Sequence, residues 1–305
     1  MKAVFGTAGQ ANPAAGIAMF AAGMIIVPCM DAIAKALTEE MHGMQIVWGR
    51  YLFTILILAP VIALTVPRGS WIPVQMGRQI MRGLCLFAAT SLFCVSLKYL
   101  PLADALAIVY ISPLITTALS GPLLGERVGP RRWAAVVVGM VGGLIIIRPG
   151  MGVTDPAAGL AVAAGFALAL YLILTRKLSG SASPAVTLFF TGLVGFVASL
   201  PAQPFIWSPL DLEHFGWFAA IGVIAVVGHL LVIRGLDHAP ASVLAPLGYI
   251  EIVSGTVLGL VVFGDFPDLW TVVGASLIIA AGIYITYRER KRQTEVVGAP
   301  RRLDK

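Results

Sequence analysis

The strongest constraint on this chain is a recurrence. Apolar stretches, each about 20 residues long and so able to cross a hydrocarbon core of about 30 Å as a helix, follow one another along its length. The spacing predicts ten spans, at 13–36, 44–66, 80–98, 101–122, 131–148, 156–175, 185–206, 215–234, 240–263 and 269–287. Turn and charge signals such as Pro67-Arg68-Gly69-Ser70 and Gly264-Asp265-Phe266-Pro267 separate them. The loops are too short for a separate soluble domain. Only 12 % of the 305 residues are charged, about half the usual share in soluble domains. That excludes a soluble or disordered chain and a nucleic-acid binder, despite the net charge of +6. The fold class expected is an all-α membrane protein.

The basic residues set an orientation. All of the 21 Lys and Arg except Lys35, Arg50, Lys98 and Arg148 fall on the side that carries both termini. That bias places both termini in the cytoplasm. The first span lacks a clear A-x-A cleavage site and reads as retained, not as a signal peptide. The tail 291–305 is basic and could also meet anionic lipid.

The chain also repeats itself. Pro13-Ala14-Ala15-Gly16 returns as Pro156-Ala157-Ala158-Gly159. A single offset of 139 then pairs Pro101 with Pro240, Tyr110 with Tyr249, Gly125 with Gly264, Glu126 with Asp265, and Gly143 with Gly282. The organisation read from this is a first five-span unit over 1–150, a second over 151–290, and the tail. Five is odd, so the two units cross the membrane in opposite senses. Inverted repeats of this kind place a substrate site near the midplane and rock one half against the other, which points to a transporter.

The stretch Ser96-Leu97-Lys98-Tyr99-Leu100-Pro101-Leu102-Ala103-Asp104-Ala105 is followed by Pro113-Leu114, Leu123-Leu124-Gly125-Glu126 and Gly142-Gly143. A degraded copy holds Gly264-Asp265 and Gly274 through Gly282. In these motifs, over roughly 13–288, the chain resembles the drug/metabolite transporter superfamily and its ten-span EamA-type carriers. Asp31 to Lys35 and Trp48-Gly49-Arg50-Tyr51 look most like the amino-acid, S-adenosylmethionine and riboflavin branches. The resemblance implies a carrier of small organic metabolites in a bacterial inner membrane. It makes Pro101, Gly125, Glu126, Gly264 and Asp265 motif residues. The expected activity is secondary-active or facilitative transport, with export of an amino-acid-like compound by alternating access as the leading reading and uptake of riboflavin or S-adenosylmethionine as the alternative. The expected partners are the metabolite, protons as a coupling ion and the bilayer, in a monomer or homodimer.

An ionisable group in hydrocarbon costs at least about 2.5–3.5 kcal/mol, so each one needs a reason. Glu251 stands in the middle of the ninth span with no Lys or Arg within a turn, five residues after Pro246. It suits a proton carrier or the partner of a cationic substrate group; the alternative is a protonated acid bonded across helices. Asp31 and Lys35 are one turn apart and can pair, as a gate beside Arg50 or as an interfacial anchor. Arg50 can clamp a carboxylate or snorkel to the interface. Tyr110 and Tyr249 could stack on a planar substrate or simply pack. Gln45, Trp48 and His229 complete the candidates. Arg82 reads as a topology signal and Asp104 as a complement to a helix N-terminus. Gly139, Gly142, Gly143, Gly255 and Gly259 read as close helix packing.

Other chemistries find no residues. There is no HExxH, GxSxG or Walker sequence, and His42, His214, His229 and His238 are scattered, three of them expected in loops. Cys29, Cys85 and Cys94 lie in apolar runs and read as small buried hydrophobes. No catalytic residue, metal or cofactor is expected.

Overall fold

The computed structural model describes residues 13–125, 128–148, 156–178, 182–239 and 241–298. Glu126 and Pro240, both placed in the repeat by sequence, and 299–305 of the tail lie outside the described residues. Ten helices are long and apolar enough to cross a membrane, and no strand occurs among the described residues. They are α1 (Pro13–Leu37), α2 (Gly43–Thr65), α3 (Met76–Ser96), α4 (Leu102–Leu124), α5 (Pro130–Ile147), α6 (Pro156–Lys177), α7 (Pro184–Ile206), α8 (Leu212–His238), α9 (Pro246–Phe263) and α10 (Leu269–Gly298). The start of α1, the end of α10 and the loops after α2, α4, α6 and α8 share one side, here the terminal face. The loops after α1, α3, α5, α7 and α9 form the distal face.

Hydropathy located the spans but not their internal breaks. α4 stops at Val109, turns through Tyr110 (φ −71°, ψ 4°) and resumes at Ser112. Pro113, second in the resumed helix, has no N–H to offer the preceding turn. α9 breaks at the repeat-equivalent place. A 3-10 turn over Ala245–Tyr249 ends at Tyr249 (φ −72°, ψ −8°), and the α-helix runs over Ile250–Leu258 before a π-turn. Both elements end on a left-handed glycine, Gly125 at φ 72° and Gly264 at φ 71°, a conformation that costs other residues about 1–2 kcal/mol.

The helices do not pack as two separate five-helix bundles. α1 lies against α8 and α9, and α6 lies against α3 and α4. α2 meets α7 and α8, while α3 meets α7, and α5 pairs with α10. Exchanging the two sequence halves maps this pattern onto itself. The packing therefore joins mixed groups, α1–α8–α9 and α6–α3–α4, where the sequence suggested one half set against the other. Small residues allow the close crossings. A Cβ added to Gly142 on α5 would stand 2.7 Å from the carbonyl oxygen of Gly274 on α10, so only glycine fits there.

Candidate functional site

Two cavities lie along α2, α7 and α8, and a third lies among α1, α2, α3 and α8. The largest, about 610 Å³, is on the terminal face. It is lined by Thr65 to Val74 after α2, Ala182 to Ala185 at the start of α7, and Leu230, Ile233 and Arg234 on α8. Its volume falls in the range that holds metabolite-sized ligands. We call it the vestibule.

Deeper in, Arg50, Tyr51, Thr54 and Leu58 of α2 face Leu188, Thr191 and Gly192 of α7 and Ala225, Val226 and His229 of α8 around about 30 Å³. Beyond Arg50 lies a third space of about 20 Å³, walled by Asp31, Ala34, Ile46, Thr90, Cys94 and Ile221. Each inner space has room for a water or two. Arg50 is the one residue that lines both.

The candidates divide into those on this path and those beside it. Asp31, 6 % exposed, faces Arg50 across the upper space. Neither forms an ion pair within 4 Å among the described residues. His229 lines the lower space, its Nδ1 2.7 Å from the Ala225 carbonyl. Glu251 enters from the α9 side, on the first turn after the break, and accepts a 2.5 Å hydrogen bond from the Tyr110 hydroxyl. The Tyr110 and Tyr249 rings lie 5.8 Å apart. The two broken helices thus meet at their breaks. Asp31 is within electrostatic reach of both Arg50 and Glu251.

Lys35 does not pair with Asp31. Its ammonium donates to the Leu100 carbonyl at 2.8 Å and pairs with Asp265 at 3.3 Å, over the Phe263 ring. Those partners gather at the distal face, where Lys35 ends α1, and Asp31 lies one turn deeper. Gln45, fully buried, exchanges two 2.8 Å hydrogen bonds with the backbone of Ser208, as donor and as acceptor. Trp48 packs against Trp207, Phe218 and Phe196. Both sit under the distal loops, above the inner spaces.

The distal face is tied further. His214 bridges Glu40 and Asp211, at 2.9 and 2.7 Å, and Arg148 pairs with Asp268. The His214 backbone N–H, and then its ring, hold the Asp211 carboxyl below its ordinary range. Asp268 is also lowered: burial opposes its charge, but the Thr271 N–H and Arg148 outweigh it. His214 and His238 belong to α8, where loops were expected; Asp211 caps the helix, and His214 completes the capping box.

Arg82, read from sequence as a topology signal and left off the candidate list, is only 2 % exposed. From α3 its Nη2 donates to the Thr187 carbonyl at 3.0 Å and to the Thr191 hydroxyl at 2.8 Å, both on α7. Thr191 and Thr90 carry no sequence signal, because a threonine in a span usually bonds its own helix. Among the cysteines Cys94 is buried, while Cys29 and Cys85 are half-buried. No group of three metal-ligating side chains occurs among the described residues.

Comparison with known proteins places this geometry. The chain is 26 % identical to the S-adenosylmethionine uptake transporter of Rickettsia bellii, over 92 % of this chain and 97 % of that protein. It is 27 % identical to the pseudopaline exporter of Pseudomonas aeruginosa, over 84 % and 90 %. Identity to the riboflavin transporter of Vibrio cholerae is 28 %, over 80 % and 82 %. One solved crystal structure superposes with a TM-score of 0.65 at 19 % identity, covering 90 % of this chain and 98 % of that one; it speaks for the fold alone. The profile of the EamA-like transporter family matches twice, at 14–148 and at 156–288. The two matched stretches take in most of the chain, which belongs to the EamA-like transporter family.

Proposed function

We propose that the protein carries an amino-acid-like metabolite across a bacterial inner membrane by alternating access, with the terminal face in the cytoplasm. The observation that carries this reading is the set of cavities, a metabolite-sized vestibule and, deeper along α2 and α8, two small and mostly apolar spaces that share Arg50. In this reading the distal ties form the gate at the far end, and the vestibule is the inward opening. This conformation is then the loading state for export. Lys and Arg placement supports the orientation.

In this reading Arg50 engages an acidic group of the cargo, while Asp31 and Glu251 engage a basic one. Lys35, Gln45 and Trp48 belong to the outer gate. Tyr110 couples Glu251 to α4, so loading at the acid is felt where α4 and α9 break. The groups α1–α8–α9 and α6–α3–α4 are the bodies that move. The units 1–150 and 151–290 are then repeats of sequence, not separate moving parts. Uptake of S-adenosylmethionine is the second reading, favoured by the Rickettsia relatives.

Glu251→Gln tests the coupling. In proteoliposomes the wild type should transport faster under an imposed pH gradient, and the variant should transport at one rate with or without it. Unchanged gradient dependence in the variant removes Glu251 from the proton path.

A further inference from the structure

The two inner spaces explain Arg50 but leave Arg82 unexplained. Its guanidinium is buried at 2 % exposure, and no carboxylate lies within ion-pair distance among the described residues. Among the described residues its guanidinium donates to two neutral oxygens on α7, and it lies 5.8 Å from the Tyr171 ring. Its Nε is buried without a hydrogen-bond partner. A buried charge with an orphaned donor is costly unless an anion completes it. Together Nε and Nη2 form the planar edge that binds a carboxylate in two-point fashion.

Its position is as telling as its chemistry. On α7, Ala185 lines the vestibule, and Leu188 and Thr191 line the lower inner space. The step from Ala185 to Leu188 is about 5 Å along the helix. Arg82 grips Thr187 and Thr191 across that step. Arg82 itself lines neither cavity, but Thr191, which it holds, and Leu86, one turn along α3, both line the lower inner space that ends at Arg50. Beyond Arg50, Asp31 lines the upper space, and Glu251 on α9 is within its electrostatic reach.

We propose that Arg82 is the entry binding residue for the cargo's carboxylate, exchanging its Thr191 bond for that group, and that the cargo is a zwitterion with separated anionic and cationic ends. This rests on the carrier reading above and narrows it. A neutral ring system without a carboxylate offers Arg82 no anion to pair with.

The test uses purified full-length protein and compounds in matched pairs: the amino acids and S-adenosylmethionine, their decarboxylated amines, and riboflavin, which has no carboxylate. Thermal shift identifies binders, and calorimetry gives Kd. We expect a zwitterion to bind and its decarboxylated amine to bind about tenfold or more weakly. In Arg82→Gln that ratio should fall toward one, with the amine's Kd nearly unchanged; Arg82→Lys should restore part of it. A purely structural Arg82 would weaken both members of a pair alike and leave the ratio intact, which overturns the assignment. Equal binding of both members by the wild type overturns it too, even if Arg82→Gln fails to fold, and leaves the carrier reading standing; binding of riboflavin alone overturns both it and the amino-acid-like cargo, and leaves only a metabolite carrier. If no compound binds or is transported, both readings fall.

Discussion

The distal and terminal faces are made from the same ten helices, and the ion pairs among the described residues gather on the distal one. On the distal face Lys35, Gln45, Arg148 and His214 each hold a partner from another element, and Gln45 does so with no exposure at all. On the terminal face Thr65, Ile72, Ala185 and Ile233 stand around an opening of about 610 Å³. The difference lies in side-chain bonding, since the backbone pattern is shared: α4 and α9 end in matched glycine turns, one on each face. A duplicated scaffold supplies the frame, and a few polar residues decide which end is open.

The largest expected contrast is in accessibility. In a background without the native cysteines, Ile72→Cys should react with a membrane-impermeant maleimide in inside-out vesicles and not in intact cells. Ser208→Cys should react slowly from either side. Fast labelling of Ile72→Cys from outside intact cells reverses the two faces.

Gln45→Leu should come next in size. It strips both partners from the Ser208 backbone, and unsatisfied buried polar groups cost about 1–3 kcal/mol each. Thermal unfolding should shift down, and labelling at distal positions should rise. Ile72→Ser, in the vestibule, should leave the melting temperature in place. Equal effects of the two would mean the distal bonds do not hold that face closed.

The smallest effect tests the shared frame. Gly125→Ala and Gly264→Ala should each cost about 1–2 kcal/mol, because both glycines are left-handed. Only Gly264→Ala should also raise distal labelling, since Asp265 beside it holds Lys35. Unequal thermal costs would break the equivalence of the two turns.

The number and placement of the spans were legible because hydrocarbon thickness imposes a length on every apolar run. The breaks in α4 and α9 were not. Tyr110 and Tyr249 are compatible with unbroken helix, and the tertiary meeting of Glu251 with Tyr110 favours the turn. The pairing of Asp31 with Lys35 was a fair inference from spacing, yet Lys35 found a carbonyl and a carboxylate at the distal face. Arg82 misled because a basic residue near a span's end reads as topology, and its burial against α7 depends on a partner more than a hundred residues away in sequence. Which helix faces which was hidden for the same reason: apolar surface carries no address.

The interleaved packing bears on how such a chain is made. α1 enters the bilayer early in synthesis, while α8, the helix it is shaped to fit, is still untranslated. Until α8 arrives, the α1 surface around Gly16 and Gly23 faces lipid or transient neighbours, although only an approaching helix fills it well. Assembly must therefore wait for the second copy.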